Sequence, residues 1–147
     1  MKNLKKFIVP TLALVLMTAW NNKQENTQVS YKDGLYTGES AVDEHGGKVE
    51  VSISIKDGMI ETVDMKNLDK DGKEKAEEYG MENGKITNEG LYKIAQDAVE
   101  LSKSYPDELI AKQDIEQVEA ISGATSTHKQ FKEAVKAALS DANQWKN

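Results

Sequence analysis

The sequence predicts an α+β fold: an antiparallel sheet with a central hairpin, helices packed against it, and a C-terminal amphipathic helix. Two observations carry that prediction. First, residues 49–55 and 59–65 both place β-branched or other apolar side chains between polar ones, and Lys56-Asp57-Gly58 joins them. Alternation of this kind buries one face of a strand and wets the other, and Asp-Gly supplies the positive φ that a tight hairpin turn needs. Second, Phe131, Val135, Ala138, Ala142 and Trp145 recur at intervals of four, three, four and three, the spacing of one helical face. Strand signals fill the first half of the body and helix signals the second, which is the pattern of a single α+β domain.

The first segment reads as an address. Lys2, Lys5 and Lys6 precede an almost unbroken apolar run over residues 7–19. Its 13 residues fall short of the roughly 20 that a bilayer-spanning helix needs, so residues 1–19 are expected to be a secretory signal peptide. Leu16-Met17-Thr18-Ala19 resembles the end of a bacterial lipoprotein signal, but Trp20 stands where that family has its lipidated cysteine. No thioether to lipid can form on tryptophan. Two destinations stay open: the outer face of the cell membrane, or secretion after cleavage behind Ala19. Residues 20–33 are polar and read as a flexible tether, leaving 34–147 as the folded domain.

Within that domain a strand is expected from Leu35 to Ala41, and His45-Gly46-Gly47 reads as a turn before the hairpin. Residues 67–85, rich in charge and glycine, form an exposed excursion. Thr87 or Asn88 is placed to cap a helix running to about Ser104, on which Leu91, Ile94, Ala95, Ala98 and Leu101 form an apolar stripe. Tyr105-Pro106 ends it, because the residue before proline avoids the helical region. A short helix over 107–112 and an extended run over 117–121 follow. The last helix is expected to start at Ser126 or Thr127, with Thr127 and Gln130 at capping-box spacing.

Composition excludes several functions. The 147 residues contain no cysteine and two histidines, His45 and His128. That removes disulfides, thiolate metal sites and thiol nucleophiles. Without residues 1–19, which carry three lysines and no acid, 16 basic residues face 25 acidic ones, a net charge of -9. A chain so acidic is not a nucleic-acid binder, which needs clustered Lys and Arg.

The chemistry concentrates in Ser122-Gly123-Ala124-Thr125-Ser126-Thr127-His128. The first amides of a helix lack internal partners and sit at the positive end of its dipole. Glycine and alanine allow a ligand close to the backbone, and four hydroxyls stand ready to donate to phosphate oxygens. His128 either joins them or lies exposed in the first helical turn. The loop therefore reads either as an anion site or as a Ser/Thr-rich cap that binds nothing.

Ser122-Gly123-Ala124-Thr125, with Ser126-Thr127 and the following helix bearing Phe131, Ala134, Val135 and Leu139, resembles the FMN-binding domain family. Its members include the flavin-carrying subunits of sodium-pumping quinone reductases and Rnf complexes, and small bacterial surface lipoproteins of extracellular electron transfer. Gly34 to Glu39 and the hairpin strands are similar to the family's opening strands. The resemblance implies FMN held covalently by a phosphoester to Thr125, with Ser122, Gly123, Ala124 and Ser126 forming the cofactor-binding loop. It implies loading by a separate flavin transferase that uses FAD and Mg²⁺ and recognises an acidic residue six positions earlier, here Glu119. It further implies an extracytoplasmic electron carrier, rather than a stand-alone enzyme, working with membrane or surface redox partners. Tyr36, Tyr79 and Met81 are candidates to pack on the flavin.

Three other readings compete. Asn67, Asp69, Asp71 and Glu78 match the spacing of an EF-hand calcium loop, although Asn67 replaces the usual first aspartate and a strand precedes the loop. Ser122, His128 and Asp114 contain hydrolase residue types without a nucleophile elbow. A non-redox surface binding module with an unloaded Ser/Thr cap is the alternative function.

Overall fold

A computed structural model describes residues 30–143. The signal segment, Trp20 and Trp145 lie outside the described residues. The elements are β1 (Gly34–Glu39), β2 (Lys48–Lys56), β3 (Met59–Leu68), α1 (Glu89–Ser102), α2 (Tyr105–Lys112), a 3-10 turn (Ile115–Gln117) and α3 (Thr125–Ser140). The strands form one antiparallel sheet in the order β1-β2-β3, and the helices pack against it, as the α+β reading expects.

The hairpin turn has Asp57 at φ 54° and Gly58 at φ 76°. The Asp33 carboxylate accepts from the amides of Asp57 at 3.0 Å and Gly58 at 2.8 Å. These two bonds hold its carboxyl below the ordinary aspartate range. Tyr31 is buried, its amide donates to the Gly58 carbonyl, and the Lys32 amide donates to the Ala142 carbonyl. Residues 31–33, which the sequence places in the tether, are therefore part of the folded body.

The alternation in β2 sends Val49, Val51, Ile53 and Ile55 to one face, all buried. Phe131, Ala134, Val135, Ala138 and Leu139 of α3 and Tyr105 and Leu109 of α2 complete this core. Each fully buried Val, Ile, Leu or Phe stabilises the fold by about 1.5–3 kcal/mol. Gly38 lets α3 lie directly on β1, because a Cβ there would overlap the Ala134 carbonyl and stand 2.5 Å from the Ala138 nitrogen. On β3, Gln113 takes the place of a neighbouring strand. Its Oε1 accepts from the Ile60 amide and its Nε2 donates to the Ile60 carbonyl, both at 2.8 Å.

Helix α1 is held differently from the others. Asn88 caps it by accepting from the Leu91 amide. Its anchoring face is polar: Gln96 Nε2 donates to the carbonyls of Tyr79 at 2.8 Å and Ala76 at 3.0 Å, and the Tyr92 hydroxyl donates to Glu77 O at 2.9 Å. An apolar helical stripe ordinarily faces a core. Here Leu91 and Ile94 are each 64% exposed and Leu101 is 37% exposed. The excursion offers carbonyls rather than apolar surface, so it takes the Tyr92/Gln96 face of the helix, with Ala95 against Gly80, and leaves Leu91 and Ile94 outward.

Candidate functional site

The Ser122-Gly123 loop is a tight turn closed by the Ala124 amide donating to the Ile121 carbonyl at 2.9 Å. Gly123 sits at φ 94°, which favours glycine. Tyr105 pins the turn from below. Its hydroxyl donates to the Ala124 carbonyl and accepts from the Ile121 amide, each at 3.1 Å. The Tyr105 ring is wholly buried and stacks on Phe131, centroids 5.8 Å apart.

His128 belongs to this support and is not an exposed first-turn residue. Its Nε2 lies 2.7 Å from the Val118 carbonyl, and its half-buried ring meets Tyr105 edge-on at 5.3 Å. A carbonyl only accepts, so Nε2 carries the proton and spends it there.

Helix α3 begins at Thr125, one or two residues before the expected start. Its N-cap is Ala124, which has no side-chain oxygen and makes no capping bond. The expected Thr127–Gln130 capping box does not form, because both side chains turn towards the sheet. Thr127 Oγ1 accepts from Asn67 Nδ2 at 3.4 Å, and Gln130 Nε2 donates to the Gly47 carbonyl at 2.8 Å. The first intrahelical bond runs from the His128 amide to the Ala124 carbonyl. The amides of Thr125, Ser126 and Thr127 precede it, at the positive end of the helix dipole. Ser122, Gly123, Thr125 and Ser126 are exposed, Ala124 is buried, and Glu119 is exposed on the approach to the turn.

The calcium candidates do not assemble. Asn67 is buried and turned to Thr127. Asp69 Oδ1 caps its own turn by accepting from the amides of Asp71 and Lys73. Asp71 pairs with Lys70, and Glu78 with Lys73. Among the described residues no group of His, Cys, Asp or Glu converges to hold a metal ion. The hydrolase residues are also apart in role, since Asp114 caps the 3-10 turn and His128 is bound to Val118.

Of the three candidate flavin neighbours, Tyr36 lies towards the wrong end of α3. Its hydroxyl donates to Lys32 O, and the Lys32 amide meets Ala142 just beyond that helix. Tyr79 and Met81 line a cavity of about 1020 Å³ formed by the 69–84 excursion and His45-Gly47. Its wall joins α3 at the Gln130–Gly47 bond. Half-buried Lys75 also lines it, with Nζ 4.9 Å from the Tyr79 ring centroid. Burial pushes the Lys75 ammonium below the usual lysine value, with Asp43 and Asp69 opposing.

An exposed threonine opens a helix that has no side-chain cap, and the sequence matches the FMN-binding domain family over residues 44–140. The chain belongs to that family. An FMN-binding domain protein is a flavoprotein, and the match supports a role as a flavin-binding electron carrier. FMN supplies the redox chemistry when bound, while the protein supplies binding, orientation and the polarity around the ring. The fold is similar to the crystal structure of the CPE2226 protein from Clostridium perfringens, with a TM-score of 0.60 and 29% identity, covering 79% of this chain and 92% of that one. A solution structure from Clostridium thermocellum is also 29% identical, with a TM-score of 0.48, covering 76% of this chain and 92% of that one. No curated protein matches the chain.

Sequence reasoning reached the loop itself but missed Tyr105 and Gln113, and read Asn67 only as a calcium ligand. No local signal marks the hydroxyl of Tyr105, because its partners lie 16 and 19 residues away.

Proposed function

We propose that this FMN-binding domain protein carries its flavin covalently, by a phosphoester between FMN and Thr125 Oγ, and moves electrons outside the cytoplasm. One observation carries the reading. Helix α3 opens at an exposed Thr125 behind an alanine that cannot cap it, so its first amides have no side-chain cap beside that hydroxyl. Ser122 and Ser126 flank that hydroxyl with further donors. Tyr105 and His128 hold the turn and first helical turn still, so little ordering remains for the ligand to impose.

The flavin arrives from FAD through a separate transferase with Mg²⁺. The Thr125 hydroxyl oxygen bonds to the FMN phosphorus, the FAD pyrophosphate bond breaks, and AMP leaves with the proton. Exposed Glu119 is the residue the transferase reads. The basic start and short apolar run of residues 1–19 support export, with the chain at the outer membrane face or secreted. Its redox partners are membrane or surface proteins.

The test is intact mass of the full chain made together with its transferase. A gain of about 438 Da, FMN less water, is expected for the native sequence, and none for Thr125→Ala. Covalent flavin persisting in Thr125→Ala removes the assignment. A colourless, unloaded native protein instead favours a non-redox surface module.

A further inference from the structure

Leu101, Ile94 and Leu91 stand at spacings of seven and three along α1, so they share one row on the helix. Ala98 sits between Leu101 and Ile94 on that row. Three large apolar side chains this exposed, in one row, mark a surface that something covers.

The position of the row indicates what covers it. A Cβ at Gly123 would stand 3.2 Å from Leu101 Cδ1. The row therefore starts against the Ser122-Gly123 turn, two residues before Thr125. It runs away from that turn for about 15 Å, ten residues at 1.5 Å each. A flat, largely apolar three-ring group on a ribityl phosphate at Thr125 has this surface within its tether.

We propose that the Ile94/Ala98/Leu101 face of α1, with Leu91 at its far end, is the bed on which the isoalloxazine ring lies. The proposal rests on the Thr125 reading and adds to it. The dimethylbenzene end of the ring matches the aliphatic side chains, and its pyrimidine end remains towards solvent or polar groups. Gly123 is part of the same surface. With no side chain there, Leu101 comes up against the turn, so the row begins beside the attachment point. The charged cavity holding Tyr79 and Met81 is the rival bed.

The test uses the full chain loaded by its transferase, with intact mass of tryptic peptides reporting flavin on Thr125. Iodide quenching of flavin fluorescence and visible circular dichroism report shielding and immobilisation of the ring. The native protein is expected to be shielded and to give a visible dichroic band. Ile94→Glu with Leu101→Glu should raise the quenching constant at least threefold and abolish the band. Tyr79→Ala and Met81→Ala should change neither. The substituted positions on α1 are exposed, and far-UV dichroism of the unloaded variants checks that the fold is kept. Ile94→Ala serves as a second variant, with a smaller change in the same direction. Unchanged quenching in the α1 variants, or release by Tyr79→Ala alone, overturns the proposal. Flavin absent from Thr125 overturns the reading beneath it, and the proposal with it.

Discussion

Tyr105 shows what one buried hydroxyl does for the site. It accepts from the Ile121 amide and adds a second donor to the Ala124 carbonyl, which also accepts from the His128 amide. Tyr105→Phe keeps the ring stack on Phe131 but takes this acceptor from the Ile121 amide, while the Ala124 carbonyl keeps the His128 amide. Unsatisfied groups in a protein interior cost about 1–3 kcal/mol, so urea unfolding of the unloaded protein should show a loss of that size. Loading of Thr125 should slow in the same variant, because the turn no longer holds one geometry. At this scale the sequence was legible where the arrangement was local: the Ser122-Gly123 turn and the exposed Thr125 and Ser126 beside it are set by adjacent residues. Tyr105, Asn67 and Gln113 were not legible, because each acts on groups far away in the chain: Asn67 reaches Thr127 across 60 residues and Gln113 reaches Ile60 across 53. His128 misled for the same reason, its partner being a carbonyl ten residues upstream.

Among elements, the hairpin and α3 followed from periodicity, since both bury the face their pattern advertises. Helix α1 did not, because periodicity says that a face is apolar but not what covers it. This gives opposite expectations for two substitutions. Leu91→Glu, on the outward stripe of α1, should shift unfolding of the unloaded protein by no more than about 0.5 kcal/mol. Gly38→Ala removes no interaction at all, yet its methyl group meets the backbone of α3. Overpacking of this kind costs about 1–3 kcal/mol, so its denaturation midpoint should fall well below that of Leu91→Glu. Equal midpoints would mean that α1 is packed inward or that α3 stands off β1. The helix start was misplaced by the capping-box pattern. Thr127 and Gln130 have the right spacing for a cap, but they join α3 to Asn67 and Gly47 instead.

For the molecule as a whole, an ion-pair cluster between the 3-10 turn and α3 makes stability sensitive to acid. Glu116, at the 3-10 turn, pairs with Lys132 at 2.5 Å and Lys136 at 2.6 Å on α3. Hydrogen bonds from these two lysines pull its carboxyl down to about 2. The folded value lies below the ordinary 4.5, so the contribution is fully present above about pH 4.5 and is lost as pH falls through about 2. Glu116→Gln should therefore lower the melting temperature slightly at pH 7, the pair being exposed and screened by salt. The difference should shrink through the acid range and vanish near pH 2. A constant difference across that range would sink the assignment. Among the described residues no helix is long and apolar enough to cross a membrane.

The bond between the Lys32 amide and the Ala142 carbonyl sets a compass heading for the domain. It brings the start of the folded body to the far end of α3, whose 16 residues span about 24 Å from Thr125. Any attachment made through residues before 30 grips the domain by the pole opposite the threonine. Whatever meets Thr125 therefore approaches at the end of α3 away from the entering chain.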